Sequence, residues 1–511
     1  MVAQRNTGGI HWPALIAVGI YAIVALLLTS WDSYLYDLWQ HHDVIWFYTC
    51  GKAWMNGMTP YVDFADSKGP LLWLIYGMGY LLSPSSYVGC YWISCILYTI
   101  IFYQCYKCAL LFTRNTRLAL VAVILCSLYF LCPFTHIEVR TEDYCYPFML
   151  PMFYRFLRHT INHESTARFA RQSAMLLGFS LAATLLIKYS CTLMMAVFIP
   201  YFCLVVPRRS NYPMIKAIGW CFLTSVLTLL PMIILLAAQG CLSAFINEYF
   251  LVTASTFGNL HGQAITAGSI LSLFTSKRLL IYLVATGAGM VVYLLRVARG
   301  RTYALVALLW FTTVILLNGT DAIYFNVLSL FTVLFAGLIA QLLGWWLHHG
   351  VVIAAMAVTA LAMLFIMTDR SSLFTRSSPE QTAWYYYAHL MGQYQSPRTL
   401  YYSCHDHGEG VPSGGLPACK YWSLQVGHTP EMLADQRNAI TQGRCDIIYI
   451  MSDDQEGKEL VEKKGFYRYD FTDIGVGDPA FPHYVLYSAR KLDTSHFKVP
   501  TPIDVLLKKR C

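Results

Sequence analysis

Between residues 11 and 367 the chain is a succession of apolar runs separated by short polar gaps. A bilayer core takes about 20 apolar residues in helical form, because a spanning segment must satisfy its own backbone hydrogen bonds. The runs fall near 11–30, 87–111, 118–135, 144–158, 172–188, 191–207, 214–237, 279–295, 302–317, 323–345 and 350–367, which makes eleven expected spans, the fourth being the shortest. Only Arg5 precedes the first run as a charge, and no small-residue cleavage site follows it, so it reads as a retained span. Of the 511 residues, 57% are hydrophobic and 13% charged. A soluble chain carries about 25% charge, so an ordinary soluble enzyme, a disordered protein and a disulfide scaffold are all excluded. The net charge of +8 is spread over the short gaps and is no nucleic-acid signature.

Charge sets the expected orientation, because cytoplasmic loops collect Lys and Arg. With the N-terminus in the cytoplasm, alternate gaps hold 14 basic residues against one acid, Glu164. The outer gaps hold six basic residues and ten acids: Asp32, Asp37, Asp43, Asp63, Asp66, Glu138, Glu142, Asp143, Glu248 and Asp321. From Asp369 onward the composition changes, with 16 basic and 17 acidic residues and apolar runs of strand length at 399–403, 446–451 and 484–488. Helical patterns lie between them at 429–442 and 456–464, the first opening on Thr429-Pro430-Glu431, an N-cap followed by Pro at the first helical position. The expected fold class is therefore mainly α: a polytopic membrane protein of about eleven transmembrane helices over 1–368, followed by a small soluble extracytoplasmic α/β domain over 369–511.

Twelve of the 16 Cys lie in the membrane part without ligand spacing and read as small packing residues. In the tail, Cys404 and Cys419 are open to three readings: free thiols, a disulfide, or a metal cluster with Asp406 and its flanking histidines, whose spacing matches no zinc pattern.

The acids cluster on one side, and the first outer loop, 31–86, carries half of them. Asp43 to Met55 has a helical pattern in which Ile45, Phe47, Tyr48 and Trp54 suit a membrane surface. Gly57 to Pro60 is a turn, and Asp66-Ser67-Lys68-Gly69-Pro70 is a second breaker before another apolar run. Such a loop reads as a roof over a site open to the membrane.

A helix opening on Asp, then Gly57-Met58-Thr59-Pro60-Tyr61-Val62-Asp63, then Lys68-Gly69-Pro70-Leu71, resembles the first outer loop of polyprenyl-phosphate-sugar-dependent glycosyltransferases. These form the GT-C superfamily, which includes protein O-mannosyltransferases and the lipid A aminoarabinose transferase; the RgtA/B/C/D-like bacterial group is nearest in pattern. The resemblance implies a GT-C-like fold and a catalytic or acceptor-orienting carboxylate at Asp43. Val44 stands where many members have Glu, so the paired-carboxylate version is absent. It further implies a second acid at Glu142, with Asp143 in reserve, in Arg140-Thr141-Glu142-Asp143, and a cation near the lipid phosphate at Lys188. Glu248 lies in Phe245-Ile246-Asn247-Glu248-Tyr249, similar to an Asn/Tyr segment of the family. Tyr324-Phe325 stands where many members have His-Tyr. The likeness runs in order along 1–367, and its specific motif is the first loop.

The chemistry is consistent with that resemblance. A lipid-linked sugar phosphate needs cations at the outer face, and Lys68, Arg140 and Lys188 are among the few available, with Tyr324 as a further donor contact. The acceptor needs a base, for which Asp43, with Glu142 as alternative, is placed. Asp63 and Asp66 read first as turn residues supporting the loop, and Asp43 and Glu142 also suit helix caps, as Lys68 suits a snorkelling interface residue. Polyprenyl phosphate is a good leaving group, so no metal is required and a divalent cation stays open; attack opposite the phosphate inverts the anomeric centre. The expected activity is transfer of a sugar from a polyprenyl-phosphate donor to a glycan, lipid or protein acceptor at the outer face of a membrane, the bacterial inner membrane by the group resembled, with no nucleic-acid partner. The rivals are a transporter or flippase for a lipid-linked sugar, whose ionisable groups usually lie mid-span, a glycan polymerase or ligase, and a non-catalytic membrane subunit.

Overall fold

The computed structural model describes residues 10–36, 42–131, 141–255, 329–344, 350–368, 383–406, 408–423, 429–470 and 484–495, with scattered helical positions between 280 and 309. Its residues fall into two compact units. One comprises Met1–Thr29, Ser94–Leu229 and Ala264–Thr368; the other comprises Ser30–Ile93, Leu230–Gln263 and Asp369–Cys511. The first long loop therefore clusters with the tail.

The helices in order are α1 (Trp12–Thr29), α2 (His42–Met55), α3 (Pro70–Leu82), α4 (Val88–Thr113), α5 (Thr116–Phe130), α6 (Thr141–Ile161), α7 (Ala167–Leu185) and α8 (Tyr189–Met195). Beyond them come Phe198–Arg209, Met214–Ala238, Ser329–Leu342 and Gly350–Met367. Among the described residues, α1, α4, Met214–Ala238 and Gly350–Met367 are long and apolar enough to cross a membrane. α8 and Phe198–Arg209 together are also long and apolar enough, with a 43° bend between them that fits a broken span or a re-entrant loop. Most of the two expected spans at 279–295 and 302–317 lies outside the described residues. The outward side chains are apolar, as at Val351 (80% exposed) and Ile20 (61%). Such a surface is stable only against lipid, and the protein is an integral membrane protein.

The fourth expected span is α6, longer than the apolar pattern indicated. It opens on Glu142 and Asp143, contains Pro147 and Pro151, and is buried along most of its length. Its weak apolar signal follows from packing against protein rather than lipid. In the same unit Tyr21 of α1 and Ser127 of α5 share a 2.7 Å hydrogen bond, and Gln341 donates to the Phe112 carbonyl at 3.1 Å.

The tail carries a five-stranded mixed sheet of β1 (Arg398–Tyr402), β2 (Leu416–Pro417), β3 (Ile447–Met451), β4 (Tyr467–Asp470) and β5 (Tyr484–Ser488) in the order β2-β1-β3-β5-β4. β1 runs parallel to β2 and β3, and β5 is antiparallel to β3 and β4. The expected runs at 399–403, 446–451 and 484–488 are β1, β3 and β5; β2 and the exposed β4 were not legible. Ile447, Ile448, Tyr449 and Ile450 are each 0% exposed, as a central strand covered on both faces requires. Tyr401 and Tyr449 are register partners with rings stacked 4.7 Å apart. The helix Pro430–Thr441 starts as its sequence indicates, with the Thr429 side chain accepting from the Met432 amide. Cys404, Cys419 and Cys445 are separate buried thiols, so the Cys404–Cys419 disulfide is not formed.

Candidate functional site

The loop is built on α2 and α3, which cross backbone to backbone. A Cβ on Gly51 would lie 2.4 Å from the Gly77 amide nitrogen, so only glycine permits this approach. α3 begins with Gly69 as N-cap and Pro70 in its first turn. The connecting segment doubles back through Tyr61, a non-glycine residue with φ of 62°. Its ring packs against Trp73 at 4.5 Å and Phe245 at 5.2 Å, and its hydroxyl donates to the Lys68 carbonyl at 2.9 Å. That packing holds a conformation that L-residues otherwise avoid. Asp63 closes the turn by accepting from the Thr59 amide at 2.7 Å, a supporting role.

The fold gathers Asp43, Asp66 and Lys68. Asp43 is exposed on the first turn of α2, where a carboxylate is favoured by the helix dipole. Asp66 is buried, and burial pushes its carboxyl above the usual carboxylate range; Lys68 opposes that shift and Asp43 adds to it. One Asp66 oxygen accepts from the Ser67 amide at 2.5 Å and the Ser67 hydroxyl at 3.2 Å. The other, Oδ2, has no hydrogen-bond partner among the described residues. Lys68 donates to the Ser67 hydroxyl at 2.9 Å and lies 5.6 Å from the Phe47 ring centroid. The half-buried Lys68 and the exposed Asp43 thus both lie within electrostatic reach of the buried Asp66, which suits an anion and a proton acceptor together. Asp66 is more than the turn residue its sequence context suggests: an orphaned buried carboxylate oxygen is a costly feature. Tyr61 was visible in the sequence only as part of the Pro-Tyr-x-Asp string.

α2 does not lie on a membrane surface. Ile45, Phe47, Tyr48 and Trp54 are all buried, at 0–6% exposure: Phe47 and Tyr48 pack against Tyr76, Tyr80 and Tyr87, Trp54 donates to Gln239, and tail residues cover the side of the helix that carries Ile45, Trp46, Thr49 and Lys52. The Trp46 and Trp422 ring centroids are 4.3 Å apart. Thr49 donates to Asp406 at 3.2 Å, and the Lys52 ammonium donates to the Gly410 carbonyl at 3.2 Å. Burial lowers Lys52 to about 8 against the pull of Asp406. Burial also raises Asp406, against the Gly408 amide bond and Lys52. The tail reaches the rest of the loop as well. The Lys420 carbonyl accepts from the Ala65 amide at 3.1 Å, one residue from Asp66. Glu248, on a π-helical stretch (Ile246–Val252), accepts from Lys420 at 2.5 Å and the Tyr421 hydroxyl at 3.0 Å. Glu248 thus latches the tail. Three consecutive tail residues, Lys420, Tyr421 and Trp422, hold the Asp66 segment, the Glu248 helix and α2.

Other expected residues belong to the other unit. There Glu142, on the first turn of α6, pairs with Lys188 before α8; both side chains are largely buried. Asp143 is 1% exposed and interacts with Tyr98. Arg140 and Tyr324 lie outside the described residues. Among the described residues no group of His, Cys, Asp and Glu is arranged to hold a metal ion.

No family model matches the sequence, and no curated protein does. Solved structures do match. The structure of ArnT from Cupriavidus metallidurans in the apo state has a TM-score of 0.59 at 13% identity, covering 94% of this chain and 98% of that one. The structure of the same protein bound to undecaprenyl phosphate has a TM-score of 0.55 at 12% identity, over 93% and 98%. The chain has the GT-C fold. A third likeness, to the archaeal oligosaccharyltransferase AglB from Archaeoglobus fulgidus, has a TM-score of 0.45 at 12% identity, over 96% of this chain and 75% of that one, and bears no weight. The GT-C likeness extends over nearly the whole length of both chains, so the tail sheet falls within it as well as the membrane helices.

Proposed function

We propose that the protein is a membrane glycosyltransferase that takes a sugar from a polyprenyl-phosphate carrier and moves it to a glycan, lipid or protein acceptor. The observation that carries this reading is the cluster of Asp43, Asp66 and Lys68 on the first long loop of a GT-C fold. The undecaprenyl phosphate bound to ArnT supports a carrier of that class. Lys68 holds the donor phosphate, and Asp43, the exposed carboxylate, takes the proton from the acceptor as its oxygen or nitrogen attacks the anomeric carbon. The carbon–oxygen bond to the phosphate breaks, and the polyprenyl phosphate leaves with the electron pair. Asp66, kept towards its neutral form by burial, is placed to donate to or orient a donor oxygen through its unpartnered edge. Attack opposite the phosphate inverts the anomeric configuration. Glu142 and Lys188, paired with each other in the other unit, remain candidates that rest on the resemblance, as do Arg140 and Tyr324.

The test is sugar release from a panel of radiolabelled polyprenyl-phosphate sugars by the protein in lipid nanodiscs, with Asp43→Asn alongside. Release by the wild type that Asp43→Asn loses, with donor binding intact, is expected. Absence of release from every donor, together with movement of a lipid-linked glycan across the bilayer, would replace this reading with a flippase.

A further inference from the structure

A groove of about 770 Å³ lies between α7 and the helix Met214–Ala238, near the starts of both. Its origin is local. At Gly178 the two helices touch: a Cβ there would lie 2.0 Å from the Cys221 carbonyl oxygen. Thr224 donates to the Met175 carbonyl at 2.9 Å, and Ser225 to the Gly178 carbonyl at 3.0 Å. Arg171 is seven residues nearer the start of α7, about 10 Å along a helix. Between the contact and the helix starts, small residues such as Gly219 leave the space open; a Cβ there meets nothing within 4 Å.

Three cations line this space, Arg168, Arg171 and Lys216, with Tyr212 and Trp220 beside them. All three are exposed, and neither helix has an acid in its first turn. Positive side chains at a helix start oppose the dipole, so the arrangement is short of an anion. Neighbouring arginines are satisfied: Arg158 pairs with Glu164 at 2.5 Å, and Arg155 donates to Gln172 at 3.0 Å. Among the described residues none of the three groove cations has an ion pair or a side-chain hydrogen bond. Beside the groove the helix turns apolar side chains outward, with Ile215 76% and Phe222 69% exposed. Cations and half-buried aromatics at one level, with exposed alkyl and aromatic side chains alongside, match a lipid with an anionic head.

We propose that this groove binds the headgroup of an anionic glycerophospholipid. The phosphate sits among Arg168, Arg171 and Lys216, the glycerol lies over Gly219, and an acyl chain follows Ile215 and Phe222. The site serves the leaflet that the charge bias assigns to the cytoplasm. It is independent of the Asp43 cluster and of whatever reaction occurs there.

The experiment is native mass spectrometry of the full chain released from nanodiscs of equal phosphatidylglycerol and phosphatidylcholine. The wild type is expected to retain phosphatidylglycerol preferentially. Arg168→Gln, Arg171→Gln and Lys216→Gln should each weaken that preference by about fivefold. Gly219→Phe keeps every charge, and so the topology signal, and fills the space the glyceryl group needs; it too should lose retention. No preference in the wild type overturns the proposal, as does retention by Gly219→Phe equal to the wild type. Full displacement by soluble glycerol 3-phosphate would assign the groove to a free phosphate and overturn it equally.

Discussion

Trp46 of α2 and Trp422 of the tail pack against each other in a tilted pair, with ring centroids 4.3 Å apart and 37° between their planes, at 6% and 1% exposure. The contact joins the helix that carries Asp43 to the sheet domain some 370 residues later in the chain. Trp422→Ala should therefore destabilise the protein by about 3–5 kcal/mol, the range for deleting a buried aromatic. It should also lower sugar release, because α2 loses its support. Trp422→Phe should recover most of both. An unchanged unfolding midpoint for Trp422→Ala in detergent would remove this ring contact from the stability account.

Asp66→Asn and Asp43→Asn should each lower turnover by about 10²–10⁴-fold, the usual worth of a positioned acid or base. Donor binding should survive both. Lys68→Gln should instead act on donor affinity, raising KM by about tenfold or more, since a charge-assisted bond to phosphate is lost. A Lys68→Gln enzyme with unchanged KM and reduced kcat would move Lys68 from the phosphate to the reacting atoms.

Lys52 makes stability depend on pH. It titrates at about 8 in the folded chain and near 10.5 when unfolded. Between those values the unfolded chain holds the extra proton, so stability from this group rises with pH across the window. Below about 8 both states are protonated, and the buried charge is a constant penalty. Lys52→Met should flatten the rise when unfolding midpoints are compared between pH 8 and 10.5. Parallel slopes for wild type and variant would show that the ammonium is hydrated in the folded state.

Glu248 and Lys420 should be coupled. Lys420→Met leaves a largely buried carboxylate that still accepts from the Tyr421 hydroxyl and the Asn247 amide but has lost its cation, so it should destabilise. Combining it with Glu248→Gln should cost less than the two single losses added, with a coupling of about 0.5–3 kcal/mol. Strict additivity in a double-mutant cycle would deny the latch.

Gly51→Ala should be disproportionately damaging for so small a change. Its methyl group would lie 2.4 Å from the Gly77 nitrogen, and over-packing of this kind costs about 1–3 kcal/mol. Since α3 would be pushed from α2, sugar release should fall with stability; normal release from a normally stable Gly51→Ala protein would contradict the crossing.

Much of this was legible in the amino-acid string. α1, α4 and Met214–Ala238 announce themselves, because lipid tolerates little else than a continuous apolar helix. β1, β3 and β5, and the helix start at Thr429-Pro430, follow from local patterns and capping chemistry. The motif around Asp43 and Lys68 pointed to the GT-C fold before any contact was known. α6 was less legible, since a helix buried in protein is free to carry two prolines and two acids.

The sequence by itself determined the membrane class, the tail as a separate material and the loop as the place where acids gather. These are properties of periodicity and local composition, readable over windows of about 20 residues. Only the tertiary structure decided which side of α2 is covered. Phe47 and Trp54 look equally suited to lipid or protein, because apolar burial has no directional signature; in the fold Phe47 packs on Tyr76 of α3 and Trp54 donates to Gln239, while Trp422 covers Trp46. Only tertiary structure decided, too, that Asp66 is buried with one oxygen unpartnered while Asp63, three residues earlier, is exposed and merely closes a turn. Burial is set by what packs from elsewhere in the chain, and beside Asp66 that includes the tail, where the Lys420 carbonyl accepts from the Ala65 amide.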